Sequence, residues 1–211
     1  MGPGCLLAAL LLAGTPSPDR SAVVSGLQAW LDGTSTLDMR FRQSLVSGAL
    51  GTTATESGRM YLERPGKLRW DYLDPEKKIA LLLGDRTTLY LEDDRQLMRG
   101  RLTAEQGLFP RLLAGRERLE DLFSATLVAT PAAGGGGSFR LRLAPKGDPG
   151  AMSVVMLTLR ASSFAIESAE LVDETGNRTT YAFSEIRRNR GVPTGVFAFE
   201  PPPGTEIVDE P

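Results

Sequence analysis

Histidine is absent from this chain, and its single cysteine, Cys5, lies in an apolar run at the N-terminus. Without imidazole there is no Ser-His-Asp triad, no histidine acid–base pair and no His-ligated zinc. A mature chain lacking that cysteine has no thiol nucleophile, no disulfide and no thiolate metal site. Lysine is scarce: Lys67, Lys77, Lys78 and Lys146 are the complete set, each among polar neighbours. A Ser–Lys dyad therefore has few partners, and no serine stands in a strand–turn–helix elbow. The net charge of −2 offers no basic footprint for nucleic acid. Much ordinary enzyme chemistry is excluded before any motif is sought.

Long apolar runs are also missing. The longest, Cys5–Ala13 (CLLAALLLA), is well short of the roughly 20 residues that span a bilayer, but it suits a signal-peptide core. The Met-Gly-Pro-Gly ahead of it carries no basic side chain. We expect residues 1–18 to be a signal peptide and residues 19–211 one domain, long enough to bury a core. A lipidated cysteine would follow the apolar run rather than precede it. The expected mature protein is soluble and unanchored.

What is present reads as one helix, then strands, then helices, then strands. In Asp19–Leu31, residues Val23, Leu27, Trp30 and Leu31 fall on one helical stripe, and Asp19 suits the N-cap. From Leu37 the period becomes two: Leu37, Met39 and Phe41 alternate with Asp38, Arg40 and Arg42. Ser47–Ser57 reads as a hairpin loop, followed by strands at Gly58–Arg64 and Gly66–Leu73. Ile79–Leu83 is apolar on both faces, as in a covered strand. Gly84-Asp85 is a two-residue turn into Thr87–Leu91, which ends at a polar Glu92–Arg95 tip. Helical patterns return at Thr103–Leu113, interrupted by Pro110, and at Glu117–Phe123. The glycine-rich 131–138 segment lacks the strand–helix context of a phosphate loop. Strands at 139–143, 153–159, 166–172, 178–186 and 196–199 complete the pattern, and Pro201-Pro202-Pro203-Gly204 closes it. The expected fold class is α+β, mainly β: one antiparallel sheet covered by about three helices.

The carboxylates of Glu92-Asp93-Asp94 sit at a hairpin tip, where solvation is the ordinary fate. The stronger signal is apolar. Met60, Leu62, Leu68, Trp70, Tyr72, Ile79 and Leu81, with Leu108, Phe109 and Leu112, suit either a filled core or the walls of a lipid-sized cavity. Periodicity does not separate the two. Arg64 breaks the pattern, because it follows Met60 and Leu62 in an apolar row just before Pro65-Gly66.

These residues resemble a known family. Phe41-Arg42-Gln43, Gly58-Arg59-Met60-Tyr61-Leu62-Glu63-Arg64-Pro65, Leu68-Arg69-Trp70-Asp71-Tyr72, Pro75, and the Phe197-Ala198-Phe199-Glu200-Pro201-Pro202 ending are similar to the motifs of the periplasmic outer-membrane lipoprotein carrier (LolA) family. The resemblance covers residues 20–209 and is densest over 37–91. It departs at Gly84-Asp85, where the family often has Asp-Gly.

The resemblance implies a strongly curved, unclosed antiparallel barrel with a helical lid over a hydrophobic cavity. It implies a non-enzymatic periplasmic carrier without cofactor, a monomer whose cargo is acylated lipoproteins. That cargo would come from an inner-membrane ABC transporter and pass to an outer-membrane lipoprotein receptor. It further implies that Arg64 reaches from the sheet to backbone carbonyls of the lid. A carrier of another lipid, glycolipid or phospholipid, or a sensor or scaffold domain without cargo, are the alternatives.

Overall fold

The computed structural model describes residues 19–102, 107–115, 117–129, 137–146 and 152–209. The expected signal peptide, the first turn of the 103–113 pattern and residues 131–136 of the glycine-rich segment lie outside the described residues.

The first helix, α1 (Arg20–Asp32), starts where the Asp19 carboxylate accepts the Ala22 N–H at 2.9 Å. Its apolar stripe, Val23, Leu27 and Leu31, is fully buried. After Gly33 the chain enters β1 (Thr36–Val46), whose Leu37, Met39, Phe41 and Gln43 all point into the protein. Asp38, on the other face, is buried as well, beneath the Arg59 guanidinium that pairs with it.

The loop expected over Ser47–Ser57 is shorter. Because Thr53 pairs opposite Val46, the second strand, β2 (Thr53–Glu63), starts there. Next come β3 (Lys67–Asp74), β4 (Lys78–Leu83) and β5 (Arg86–Leu91), the last two joined by the expected Gly84-Asp85 turn. The return strand β6 (Gln96–Arg101) has too little apolar content to be read from its residues alone.

The second helix, α2 (Leu108–Leu113), contains Pro110 in its first turn, where a missing N–H leaves no bond unmade. The third, α3 (Leu119–Leu122), runs straight into β7 (Phe123–Ala129), a strand the periodicity does not announce. The remaining strands are β8 (Ser138–Pro145), β9 (Met152–Arg160), β10 (Ile166–Asp173), β11 (Arg178–Arg188) and β12 (Glu206–Asp209).

The strand expected at Val196–Phe199 is instead irregular backbone, and regular structure resumes after the prolines in β12. The strands of the described residues form one curved 12-stranded sheet in the order β12-β6-β5-β4-β3-β2-β1-β11-β10-β9-β8-β7. It is antiparallel except for β12, which pairs parallel to β6. Among the described residues β7 and β12 are its two edges, so the barrel does not close.

Two cores result. On the concave side α1, α2 and α3 pack on Met39, Met60, Leu62, Leu68, Leu141, Leu143, Val155, Leu157 and Leu159. On the convex side of β4–β6, Leu81, Tyr90 and Leu97 are buried. Register puts Tyr90 and Leu97 in one row with Ile79 and Asp71, and Leu81 in the next row of the same face, between Arg69 and Thr88. The 196–209 segment crosses that side. Phe199 packs on Tyr90 at 5.1 Å, the Lys67 ammonium lies 5.7 Å from the Phe197 ring, and Arg69 donates to the Val196 carbonyl at 2.7 Å.

Candidate functional site

Along β3, residues two apart share a face, so Leu68, Trp70 and Tyr72 form one concave row. Opposite them on β4 stand Leu82, Ala80 and Lys78, and the row continues through Thr87 and Leu89 of β5 to Gly100 and Met98 of β6. Here the concave side is not filled. It holds a cavity of about 360 Å³, roofed by Phe109 and Pro110 of α2 and closed laterally by Leu102, Leu171 and Tyr181. That volume lies at the lower end of the roughly 300–1,000 Å³ usual for ligand pockets.

Aromatic packing sets one wall. Gly58 lies at a register shift between β2 and β3, and a Cβ there would stand 1.9 Å from the Asp71 carbonyl oxygen. Only glycine permits that approach. The Phe41 ring beside it then meets Trp70 at 4.8 Å and Tyr72 at 4.9 Å, both edge-on. Trp70 continues to Tyr181 at 5.1 Å.

Polarity changes along the row. Leu68 is packed near α2, whereas at the other end the Tyr72 hydroxyl donates to Gln43 Oε1 at 3.0 Å. Lys78 stands 4.5 Å over the Tyr72 ring and pairs with Glu56. Burial raises the pKa of Tyr72 strongly, with Tyr181 and Glu56 adding to the rise. Burial also pushes Tyr181 up to about 12, opposed by its hydrogen bond with Tyr72. Both phenols are neutral at physiological pH.

Arg64 lies just past the end of β2, in line with Met60 and Leu62, and it is half-buried. Its Nη1 donates to the Leu31 carbonyl at 2.6 Å, its Nε to Leu113 at 2.9 Å, and its Nη2 to Leu112 at 3.1 Å. One guanidinium thus joins the sheet to the C-terminal carbonyls of α1 and α2, the groups a helix leaves unpaired. Burial lowers its pKa, and Asp32 opposes that shift. Gly115 makes room for it, since a Cβ there would stand 2.8 Å from Arg64 Cδ. The other end of the joint is Arg188, which donates to Thr34 Oγ1 at 2.7 Å and to the Trp30 carbonyl at 3.1 Å.

The structure divides the candidate residues. Leu68, Trp70, Tyr72 and Phe109 line the cavity. Met60, Leu62, Leu108 and Leu112 instead belong to the packed core, because α1 and α2 leave no space above them. Ile79 belongs to the convex face, and so does the side chain of Leu81, although Leu81 touches the cavity between Ala80 and Leu82. A strand apolar on both faces gives no signal for which face turns inward, and the choice is made by Leu82 pairing opposite Leu68. Sequence reasoning missed Thr87, Leu89, Met98, Tyr181, Gln43 and Arg188. Of these, only Gln43 lay within a motif already singled out, the Phe41-Arg42-Gln43 run. The Glu92-Asp93-Asp94 group remains at an exposed turn.

Such a site can hold an apolar chain without covalent chemistry. Among the described residues no helix is long and apolar enough to cross a membrane.

Comparison with known proteins bears on what enters the cavity. Residues 32–200 match the family model described as outer membrane lipoprotein carrier protein LolA. An outer-membrane lipoprotein carrier protein of Chromobacterium violaceum is 32% identical, over 96% of this chain and 95% of its own. One from Methylococcus capsulatus is 30% identical, over 95% and 94%. Among solved structures, an uncharacterized conserved protein from Thermus thermophilus superposes with a TM-score of 0.56 at 12% identity, over 90% of this chain and 98% of that one. That likeness concerns the fold alone.

Proposed function

Because this chain belongs to the outer membrane lipoprotein carrier protein family, LolA, we propose that its cavity shields lipoprotein acyl chains in transit through the periplasm. The observation that supports this reading is the open apolar space beneath α2, bounded by Leu68, Trp70, Leu89, Met98 and Phe109. Each methylene buried there is worth roughly 0.8 kcal/mol, so a multiply acylated protein left alone stays in its membrane. The carrier supplies an alternative apolar environment and needs no catalytic step.

At about 360 Å³ the cavity is small for several chains at once. Loading then requires α2 to lift, and Arg64 is the polar contact that must break. It acts as a latch between sheet and lid. An inner-membrane ABC transporter supplies the work of extraction, and an outer-membrane lipoprotein receptor takes the cargo. The carrier acts as a monomer.

The test is release. Spheroplasts incubated with the purified mature protein should yield a soluble one-to-one complex with lipoprotein, which passes its cargo to receptor-bearing outer membranes. Lipoprotein that stays in the spheroplast membrane at every carrier concentration would overturn the reading.

A further inference from the structure

We propose that Tyr181, Gln43 and Tyr72 form a carbonyl-binding subsite at one end of the cavity, which fixes the ester or amide group at the head of an acyl chain. This rests on the carrier reading and deepens it. The three side chains come from three strands, β11, β1 and β3, and register sets Gln43 directly opposite Tyr181. Tyr72 has one hydroxyl proton, and it goes to Gln43 Oε1. With the oxygen so used, the Gln43 amide nitrogen offers two N–H donors, and Tyr181 offers one O–H. The Gln43 amide nitrogen donates to no acceptor among the described residues, and the Tyr181 hydroxyl, hydrogen-bonded with Tyr72, can turn its proton from that oxygen to a ligand.

These donors are not sealed away. No buried side-chain polar atom of the described residues lacks a partner, so the Gln43 nitrogen reaches accessible space, and Tyr181 lines the cavity beside Tyr72. An unpartnered donor facing an apolar chain is unfavourable, and a carbonyl oxygen, with two lone pairs, satisfies two such donors at once. The rest of the wall gives the chain its direction. From Tyr72 to Leu68 the row runs four residues, about 13 Å, from hydroxyl to hydrocarbon and ends under α2. The methyl end enters toward Leu68 and Phe109, and the head stays at the tyrosines.

Such a subsite supplies what hydrocarbon walls lack. Apolar surfaces discriminate poorly between similar chains, whereas a polar group built to be bonded rejects an analogue without the partner. Lys78 and Glu56, paired beside Tyr72, neutralise one another and leave the subsite suited to an uncharged group rather than to a phosphate.

The experiment compares two synthetic lipopeptides of equal chain length, one diacylglyceryl-cysteine peptide and its dialkyl ether counterpart, by displacement of a fluorescent fatty probe. An N-palmitoyl peptide separates amide from ester as the source of the carbonyl. Wild-type protein should bind the ester form about fivefold more tightly than the ether, the size of one net hydrogen bond. Tyr181→Phe and Gln43→Leu should each lower ester affinity severalfold and leave ether affinity unchanged. Equal affinity for ester and ether in the wild type, or an ester preference that survives both substitutions, would overturn the subsite while the carrier reading stands. Uptake of none of the three probes would overturn both. The wild-type comparison holds even if a variant fails to fold.

Discussion

In β8 and β9 the concave row of Phe139, Leu141, Leu143, Val155, Leu157 and Leu159 is almost wholly buried beneath α1, while Arg140, Arg142 and Arg160 on the other face are in water. In β4–β6 the arrangement is turned over. Leu89 and Met98 line an open cavity and are partly exposed, whereas Leu81, Tyr90 and Leu97 on the convex face are buried, with Phe199 of the 196–209 segment packed on Tyr90. A sheet must bury one face to be stable. The half that carries the cavity gives up concave burial and recovers it on the outside. The cavity can then stand open without unfolding the strands that build it.

The largest effect expected from this asymmetry is in the filled half. Leu157→Ala should destabilise by about 2–5 kcal/mol in denaturant unfolding, because nothing can collapse into the space. Leu89→Ala in the open half should stand at the other extreme, below about 1 kcal/mol, since its side chain already faces space. Equal losses at the two positions would break the contrast.

Arg64→Leu comes next. Loss of three hydrogen bonds to α1 and α2 should remove about 2–3 kcal/mol and raise amide exchange at both helix C-termini, with the sheet intact. Cargo release should change with it, and normal transfer by this variant would sink the latch.

Alkaline pH probes the boundary between the halves. The native pKa of Tyr181 is about 12, above the value near 10 of an exposed tyrosine, so the unfolded chain loses that proton first. The stabilisation is complete below about pH 10 and declines through about pH 12, a loss of about 2–3 kcal/mol that Tyr181→Phe should remove while the decline owed to Tyr72 remains. A variant with the same alkaline decline as wild type would remove Tyr181 from this role.

The smallest effect on the outside should be Phe199→Ala. It should weaken the Tyr90 contact by about 1 kcal/mol and increase exchange in β5 and β6 but not in β8 and β9.

Much of this was legible in the residues. The α1 stripe, the β1 alternation and the β3 row of Leu68, Trp70 and Tyr72 all carried their periods openly, and the family motifs gave the unclosed sheet. Less legible were elements whose burial depends on distant partners. β12 has four exposed residues and exists because β6 offers it an edge. Tyr181 reaches Gln43 only through β1–β11 pairing, across more than a hundred residues of chain. Ile79 reads as a cavity residue although it stands on the convex face, because a strand covered on both sides has no period to show. The cover on the second side comes from the far C-terminus, which no local window contains.

Among the described residues the edges at β7 and β12 do not meet, and this carries one more consequence. A closed barrel has its radius set by strand number and shear. An arc whose ends do not meet is free of that rule. Strand count therefore places no fixed limit on the bulk such an arc can wrap, as a hand is not limited to one grip.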